Sequence, residues 1–593
     1  MRFFIGFFLI VCFGRQIQSY NSNIDSDENL FDIETQSDEA IVKLPKLGIL
    51  KGTFTFSAWT NRTIYSFLGV KYAESPSGAR RFKAPVPVKQ WHGVRNADNY
   101  GRACPFLGDL TELPQNDDVE DCLSMAIFST NVRSTSSPHV LNFLNVSAML
   151  PVMVYVHGGG FQMNSAKIYP PNYFMERDIV LVVVQYRLDA LGFLSTNTND
   201  IPGNAGLLDT IAALSFVKDN IVHFGGDPNR VTIFGQSSGA AMVSALMISP
   251  NVPANTLFQQ AIVQSGSVTA NWAYSMDPVS DARDIAAAAG LKRNQSLDSL
   301  NRAFMEMNVF DLLKAVDRCH MIGTMNGKPT PGARSLSVGG PNNLLPQSPE
   351  ELIDFGEFNK SIPLIVGTTR DDGTYIATVV YDLLAAMGKL TNEQFMKHEL
   401  LDYLLRFLGV NNDGSTVQAL SQLIYWNKEQ LMSGDFRILA PGLIDMFSAL
   451  MFKGPAFKLA RCNAKTSPFN TYLYSFDHRG EFTRFGYGSD TNHYPFKGGV
   501  HHSDDLIYLF PYPENVAKLN DADRKMSQTL LDLWTSFAAN GVPQTSENNG
   551  KKFWPSLSEL VGPYLHINRT LGISENYVNE FNVETRDPSY VQK

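Results

Sequence analysis

The sequence contains little cysteine and no excess of positive charge. Five cysteines occur among 593 residues, and the formal net charge at pH 7 is −9. A chain with so few cysteines depends on a hydrophobic core rather than on a dense disulfide framework. The negative charge argues against a nucleic-acid partner, because such a partner selects a basic face. We therefore expect an ordinary globular protein that does not bind nucleic acid.

Long uncharged hydrophobic segments are also scarce. Residues 3–13 form a short apolar stretch behind Met1 and Arg2. This stretch is too short to span a bilayer and fits the hydrophobic region of a secretory signal. No later segment is long enough to cross a membrane, and the C-terminus lacks the hydrophobic tail of a GPI signal. The sequence therefore predicts a secreted, extracellular protein without a membrane span.

The distribution of apolar segments and of charge divides the chain into four predicted segments. Residues 1–19 are predicted to be the signal peptide, and residues 20–44 an acidic, mobile leader. Residues 45–575 are predicted to form the folded domain, and residues 576–593 a C-terminal tail. No repeat of solenoid period divides the long central segment.

Cysteine spacing and glycosylation sequons agree with secretion. Cys104 and Cys122 bracket a polar loop, so we expect them to form a disulfide. Spacing does not decide whether Cys319 and Cys462 are bridged or free. Asn-x-Ser/Thr sequons behind a signal peptide predict glycosylated surface loops. The five predicted sites are Asn61, Asn145, Asn294, Asn359 and Asn568.

The middle of the chain alternates between strand-like and helix-like segments. Residues 151–156 and 179–184 are continuous apolar runs, and residues 206–222 place apolar side chains at helical spacing. Such runs are typical of central strands in a mostly parallel sheet. The alternation predicts an α/β fold.

One motif in this region predicts a nucleophile. A short strand at 231–234 runs into the sequence GQSSG at 235–239, and a helix of small residues follows. This strand–turn–helix context is that of a nucleophile elbow, where the turn exposes the serine hydroxyl. Glycines two residues to either side are needed because a Cβ there would collide with neighbouring backbone. Ser237 is therefore the predicted nucleophile.

A glycine loop after the strand at 151–156 predicts an oxyanion hole. Backbone N–H groups in such a loop can stabilise the negative charge that develops on a carbonyl oxygen, at about 3–4 kcal/mol per donor. The residue that follows the nucleophile supplies a further donor. The predicted donors are the N–H groups of Gly159, Gly160 and Ser238.

A series of sequence blocks stands in one order along the chain. The blocks are HGGGF, QYRLDALGFL, GNAGLLD, FGGDPNRVTIFGQSSGA, AIVQSGS, TYLYSFDHRG, DDLIYLF and LWTSFAANGVP. Together they resemble the type-B carboxylesterase family, and the resemblance extends from about Leu47 to about Gly572. It implies an α/β-hydrolase fold, with a central, mostly parallel, twisted sheet flanked by helices, and it pairs Cys104 with Cys122. In motif choice the chain is most similar to insect members of the juvenile hormone esterase-like or glutactin-like kind.

The resemblance also implies the remaining members of a catalytic triad. A serine needs a histidine to take its proton and a carboxylate to orient that histidine. In this fold the acid lies between the serine and the histidine along the chain. The family pattern matches Asp372, where most members have glutamate, and Asp371 is the alternative. The block that contains the base matches His502 rather than His501.

Other histidine-rich patterns carry less weight. His157 belongs to the glycine loop and is interpreted as structural, and His493 as a surface residue. The run His-His-Ser-Asp-Asp could suggest a metal site, but no second ligand cluster in the sequence supports one. We expect neither a metal nor a cofactor.

Several positions depart from the family's common choices. Gln236 stands where many members have glutamate, and Ser238 where juvenile hormone esterases usually have alanine, so we expect its hydroxyl to crowd the pocket. Thr210 replaces their glutamine, which weakens an assignment to that hormone. The loop between Cys104 and Cys122 contains no tryptophan, so a cation–π site for a choline ester is not expected.

Two functions remain open. The first is a secreted serine carboxylic-ester hydrolase that acts on small or lipophilic esters through an acyl-enzyme. The second is a catalytically weak or inactive adhesion or binding protein, similar to neuroligin or glutactin, with a protein partner in place of a substrate. The sequence favours the first because every part of the catalytic apparatus is present.

Overall fold

The computed structural model describes the greater part of the chain. The described residues are 40–108, 118–131, 149–327, 333–354, 362–410, 428–467, 470–485, 494–511, 519–546, 553–558 and 561–586. The predicted signal peptide, most of the predicted leader, the sequons at Asn145 and Asn359, and His493 lie outside these residues.

Strands and helices alternate through the chain. The strands are β1 (Ile41–Leu44), β2 (Gly48–Lys51), β3 (Thr53–Phe56), β4 (Thr63–Lys71), β5 (Val94–Asn96), β6 (Ser124–Ser129), β7 (Leu150–Val156), β8 (Val180–Val184), β9 (Gly226–Gln236), β10 (Gln260–Gln264), β11 (Tyr274–Ser275), β12 (Leu336–Ser337), β13 (Leu364–Thr369), β14 (Thr471–Phe476), β15 (Tyr564–Ile567) and β16 (Gly572–Ser574). The helices are α1 (Asp189–Phe193), α2 (Ala205–Asn220), α3 (Ser238–Ile248), α4 (Ala254–Leu257), α5 (Pro278–Ala288), α6 (Leu297–Glu306), α7 (Val309–Met325), α8 (Pro349–Asp354), α9 (Thr374–Ala386), α10 (Leu400–Phe407), α11 (Lys428–Met432), α12 (Phe436–Phe447), α13 (Gly454–Thr466), α14 (Asp521–Asn540) and α15 (Val583–Arg586).

A large mixed sheet organises the fold. Within the described residues, eleven strands pair in the order β16-β15-β14-β13-β10-β9-β7-β8-β6-β4-β3. The pairs from β8 through β15 are parallel, whereas the outer pairs at both ends are antiparallel. The predicted α/β-hydrolase fold, with its mostly parallel central sheet, is confirmed.

Helices bury both faces of this sheet. Alternate residues of one strand point to opposite faces, and β8 shows this directly: Val182 packs into one hydrophobic core, whereas Leu181 and Val183 pack into the other. Every residue of β8 is buried. A strand covered on both faces needs apolar side chains on both, which explains the continuous apolar runs in the sequence.

The folded chain extends beyond both boundaries predicted for the domain. Residues 41–44, from the predicted leader, pair with β2 as an antiparallel strand. At the other end, Tyr577 is fully buried, and Asp445 accepts hydrogen bonds from the N–H groups of Glu584 and Thr585 at 3.0 and 2.8 Å. Both segments therefore belong to the packed structure.

The structure also locates the cysteines and three of the sequons. Cys104 and Cys122 form a disulfide, while Cys319 and Cys462 are free. Asparagines at three predicted glycosylation sites are exposed, namely Asn61, Asn294 and Asn568. Among the helices of the described segments, none is both long enough and apolar enough to cross a bilayer.

Candidate active site

Ser237 lies in a sharp turn between a strand and a helix. β9 ends at Gln236, α3 begins at Ser238, and Ser237 between them has φ 57° and ψ −127°. A positive φ is strained for a residue with a Cβ and persists only where the surroundings hold it. One such restraint is the hydrogen bond from the N–H of Ser237 to the carbonyl of Gln264, at 2.9 Å. The turn leaves Ser237 half-buried at the carboxyl end of the sheet.

The two glycines of the motif are explained by close backbone contacts. A Cβ on Gly239 would lie 2.1 Å from the carbonyl oxygen of Val156, and one on Gly235 would lie 2.7 Å from the carbonyl carbon of Gly239. Neither distance is compatible with a side chain. The first turn of α3 can therefore approach the end of β7 only if both positions are glycine.

Asp372 and His502 form the carboxylate–imidazole pair of the site. Nδ1 of His502 lies 2.8 Å from Oδ1 of Asp372, and both side chains are buried. Asp372 also accepts hydrogen bonds from the hydroxyl and the N–H of Thr369, at 2.8 and 3.2 Å. Sequence reasoning missed Thr369, although its place at the end of β13, three residues before the acid, is a usable signal.

The alternative acid, Asp371, points elsewhere. Its Oδ2 accepts a hydrogen bond from the N–H of Val500 at 2.6 Å. A Cβ on Gly499 would lie 2.1 Å from the same oxygen, so glycine is required at that position. Asp371 thus supports the loop that precedes His501, whereas Asp372 contacts the imidazole of His502.

The second nitrogen of His502 contacts Gln236 rather than Ser237. Nε2 of His502 lies 3.1 Å from the side-chain nitrogen of Gln236. Within the described residues, the hydroxyl of Ser237 makes no hydrogen bond. Because Nδ1 faces a carboxylate, a neutral imidazole carries its proton on Nδ1 and presents a lone pair at Nε2, to which the Gln236 amide can donate. This is the tautomer that a general base needs, with its acceptor nitrogen engaged by an amide.

Aromatic rings pack against the imidazole of His502. The ring of Tyr375 stacks on it, with centroids 5.4 Å apart and planes 19° from parallel, and the centroid of Phe452 lies 4.8 Å away. The neighbouring His501 is fully buried, and burial lowers its pKa to about 3, so it stays uncharged at neutral pH. Of the two histidines, His502 is the one that contacts both Asp372 and the elbow.

The glycine loop lies beside Ser237. Its first residue, His157, is buried, and burial lowers its pKa to about 4, so it too is neutral. Gly159 and Gly160 have φ of 123° and 60°, conformations that favour glycine. Both glycines line the same cavity as Ser237 and His502.

The side chain of Ser238 does not enter this cavity. Ser238 is fully buried, and its Oγ accepts a hydrogen bond from the N–H of Phe161 at 3.1 Å. The expectation that this hydroxyl crowds the pocket is wrong, because α3 turns the side chain toward the glycine loop. The backbone of Ser238 stays at the elbow.

The cavity at Ser237 measures about 290 Å³ and has a mainly apolar wall. Its aliphatic and aromatic lining residues include Ile168, Trp272, Ile376, Val379, Phe407, Leu408, Met451 and Phe452. Two arginines, Arg334 and Arg484, also reach it. The ion pairs of Arg334 with Asp189 and Asp317 use Nε and Nη2.

Thr210, which departs from the family pattern, lies away from this cavity. Its hydroxyl donates to the carbonyl of Gly206 at 3.1 Å within α2. The preceding Asp209 accepts two hydrogen bonds from the buried guanidinium of Arg187, at 2.6 and 2.7 Å. Neither residue lines the cavity.

Comparison with known proteins gives a consistent result. A model of the carboxylesterase family matches residues 38–583. The chain is similar to esterase FE4 of Myzus persicae, with 31% identity over 509 residues, which cover 84% of each chain. It is likewise similar to juvenile hormone esterase of Tribolium castaneum, with 31% identity over 528 residues, which cover 86% of this chain and 85% of that one. It is also similar to glutactin of Drosophila melanogaster, with 30% identity over 542 residues, 90% of this chain but 50% of glutactin. The chain thus spans about half the length of glutactin.

Proposed function

The chain belongs to the carboxylesterase family of ester hydrolases, and on that premise we propose that it is a secreted serine carboxylic-ester hydrolase with Ser237 as its nucleophile. The convergence of Ser237, His502, Gly159 and Gly160 on one cavity carries this proposal. A nucleophile, a base and backbone donors at a common point are the parts that acyl transfer requires.

The proposed reaction proceeds through an acyl-enzyme. Oγ of Ser237 attacks the ester carbonyl while Nε2 of His502 takes its proton, and Asp372 stabilises the resulting imidazolium. The N–H groups of Gly159, Gly160 and Ser238 hold the oxyanion. His502 then protonates the leaving alcohol as the C–O bond breaks. Water, activated by the same histidine, hydrolyses the acyl-enzyme and frees Ser237. No cofactor takes part in these steps.

The cavity supports small or lipophilic esters as the substrate class. Apolar surface removed from water contributes roughly 25 cal/mol per Å², so an aliphatic acyl or alcohol group gains binding free energy against this wall. The cavity volume of about 290 Å³ accommodates a small ester or part of a longer one.

Secretion and glycosylation belong to the same proposal. The Cys104–Cys122 disulfide is of the kind that persists in oxidising compartments. The exposed side chains of Asn61, Asn294 and Asn568 are accessible to glycosylation. Secretion into culture medium with a mass shift removed by an N-glycosidase is the expected result, and an unglycosylated intracellular product would contradict it.

A second candidate function has one observation in its favour. The contact between His502 and Gln236 leaves the hydroxyl of Ser237 without the base as a partner. If this arrangement persists when substrate binds, the chain is a catalytically weak or inactive binding protein. Hydrogen bonds of catalytic groups are often long or misaligned before substrate binds, and for this reason we favour the enzyme.

Hydrolysis of a graded ester series separates the two candidates. We expect the purified protein to hydrolyse 4-nitrophenyl acetate, butyrate and octanoate, and Ser237→Ala to lower kcat by about 10⁶-fold. Circular dichroism and thermal melting of both proteins control for folding. A parent protein that melts cooperatively but hydrolyses none of the three esters would contradict the proposal and favour the non-catalytic alternative.

A further inference from the structure

The side chain of Ser238 makes a contact that the proposed reaction does not require. Only the backbone N–H of this residue belongs to the proposed oxyanion hole. Its hydroxyl nevertheless accepts a hydrogen bond from the N–H of Phe161 at 3.1 Å. Ser238 and Phe161 are 0% and 1% exposed, so water does not compete for this contact. The bond ties the first turn of α3 to the residue directly after Gly160.

The two ends of the glycine loop are held by different groups. At its start, the carbonyl of His157 accepts a hydrogen bond from the hydroxyl of Tyr186 at 2.7 Å. At its end, the carbonyl of Phe161 accepts one from the N–H of Asp189 at 2.7 Å, and its N–H donates to Ser238. Between these ends, the carbonyl of Gly158 accepts a hydrogen bond from the side-chain amide of Asn164 at 3.0 Å, and the carbonyl of Gly159 accepts one from the N–H of Gln162 at 3.0 Å. These contacts orient the peptides that carry the N–H groups of Gly159 and Gly160, so the anchored ends place the loop as a whole.

We propose that the hydroxyl of Ser238 is a positioning group that holds the glycine loop at the distance required for oxyanion binding. This inference rests on the proposed function. Through its backbone Ser238 supplies one donor, and through its side chain it fixes the peptide that follows the other two. One residue thereby links the helix turn that supplies one donor to the loop that supplies the other two.

Such spacing matters because oxyanion donors act over short distances. They stabilise charge when they lie about 2.7–3.1 Å from the position that the oxyanion occupies. Removal of one donor lowers kcat by about 10²–10³-fold. Loss of an anchor displaces donors without removing them, so we expect a smaller loss, about tenfold, in kcat. KM should change little, because the donors act chiefly on the transition state.

Ser244 provides a matched control in the same helix. It is also fully buried in α3, and its Oγ accepts a hydrogen bond from the N–H of Val268 at 2.8 Å. Ser244 does not line the cavity, and Val268 is outside the glycine loop. Ser244→Ala and Ser238→Ala therefore each remove a buried acceptor of a backbone N–H, at a cost in stability of about 1–3 kcal/mol. Only Ser238→Ala loosens the glycine loop.

The experiment compares kcat, KM and melting temperature of the parent, Ser238→Ala and Ser244→Ala on 4-nitrophenyl butyrate. We expect similar melting temperatures for the two variants, a kcat about tenfold below the parent for Ser238→Ala alone, and KM within about twofold of the parent for both. A trifluoromethyl ketone, which forms an oxyanion on Ser237, should bind Ser238→Ala more weakly by the same factor as the loss in kcat/KM.

Each contrary outcome has a separate meaning. Equal kcat values for the two variants would show that the Ser238 hydroxyl has only a structural role, which overturns the inference. A changed KM with an unchanged kcat would show that the hydroxyl acts on substrate binding, which overturns it as well. A folded parent that turns over no ester contradicts the proposed function itself, and the inference falls with its premise.

Discussion

The two halves of the site differ in what holds them. The nucleophile half, residues 235–239, is fixed by backbone: a Cβ on Gly239 would lie 2.1 Å from a carbonyl oxygen. The histidine half, residues 369–375 and 499–503, is fixed by side chains, with Asp372 and Gln236 on the two nitrogens of His502. Backbone packing admits one arrangement, whereas a side chain can change partners. For the proposed reaction, the nucleophile half is therefore preorganised, whereas His502 must still exchange one hydrogen-bond partner.

In the proposed reaction, this exchange takes place at Nε2 of His502. In the structure this nitrogen faces the Gln236 amide at 3.1 Å. For Ser237 to lose its proton, the hydroxyl must replace the amide as the partner of Nε2. The Asp372 contact at Nδ1 stays in place and keeps the imidazole in the required tautomer.

The largest effect is expected for Asp372→Asn. An amide in place of the carboxylate no longer selects the tautomer with a proton on Nδ1, and it does not stabilise the imidazolium. We expect kcat to fall by about 10⁴-fold, with the fold retained. Steady-state ester hydrolysis and thermal melting measure the two quantities.

Asp371→Asn is the matched control for this change. The side-chain oxygen of asparagine can still accept the hydrogen bond from the N–H of Val500. We expect kcat to stay close to that of the parent. A larger loss of kcat for Asp371→Asn than for Asp372→Asn would contradict the proposal that Asp372 is the acid of the triad.

The next effect is expected for Gln236→Glu, and it concerns pH. A carboxylate beside Nε2 favours the protonated imidazolium, which cannot act as a base. The acidic limb of the kcat/KM profile should therefore move to higher pH, by about one unit, so that activity at pH 6 falls more than activity at pH 8. Gln236→Met, which carries no charge, should not produce this shift. An unchanged profile in Gln236→Glu would show that residue 236 does not contact the base.

The smallest effect is expected for Tyr375→Leu. The stacked ring holds the imidazole and favours its cationic form. Its loss should cost about 1 kcal/mol in the transition state, or roughly fivefold in kcat. Tyr375→Phe keeps the ring and should retain the parent rate. If both variants lose activity equally, the hydroxyl rather than the ring is the important group.

The same contrast explains what the sequence could predict. The strands β7 and β8 coincide with the apolar runs at 151–156 and 179–184 because strands buried on both faces must be apolar throughout. The positions of Gly235 and Gly239 are predictable from the sequence because their spacing follows from local backbone geometry. Local rules therefore account for the backbone of the elbow and for the central strands.

The histidine half depends on contacts that no local rule specifies. Asp372 and His502 are 130 residues apart, and Gln236 and His502 are 266 apart. Family resemblance, and no local rule, distinguishes Asp372 from Asp371, because both aspartates fit a turn before glycine. The contact between Gln236 and His502, and the direction of the Ser238 hydroxyl, depend on how loops and helices pack after the sheet has formed. Sequence periodicity contains no information about that packing.

The most direct test of the central claim is covalent labelling by a fluorophosphonate, with the modified residue identified by mass spectrometry. A serine reacts rapidly with this reagent only when a base can take its proton. We predict rapid labelling of the parent at Ser237, abolished in Ser237→Ala and slowed by orders of magnitude in His502→Ala. Rapid labelling of Ser237 that is indifferent to His502, or a folded parent that is not labelled at all, would contradict the account.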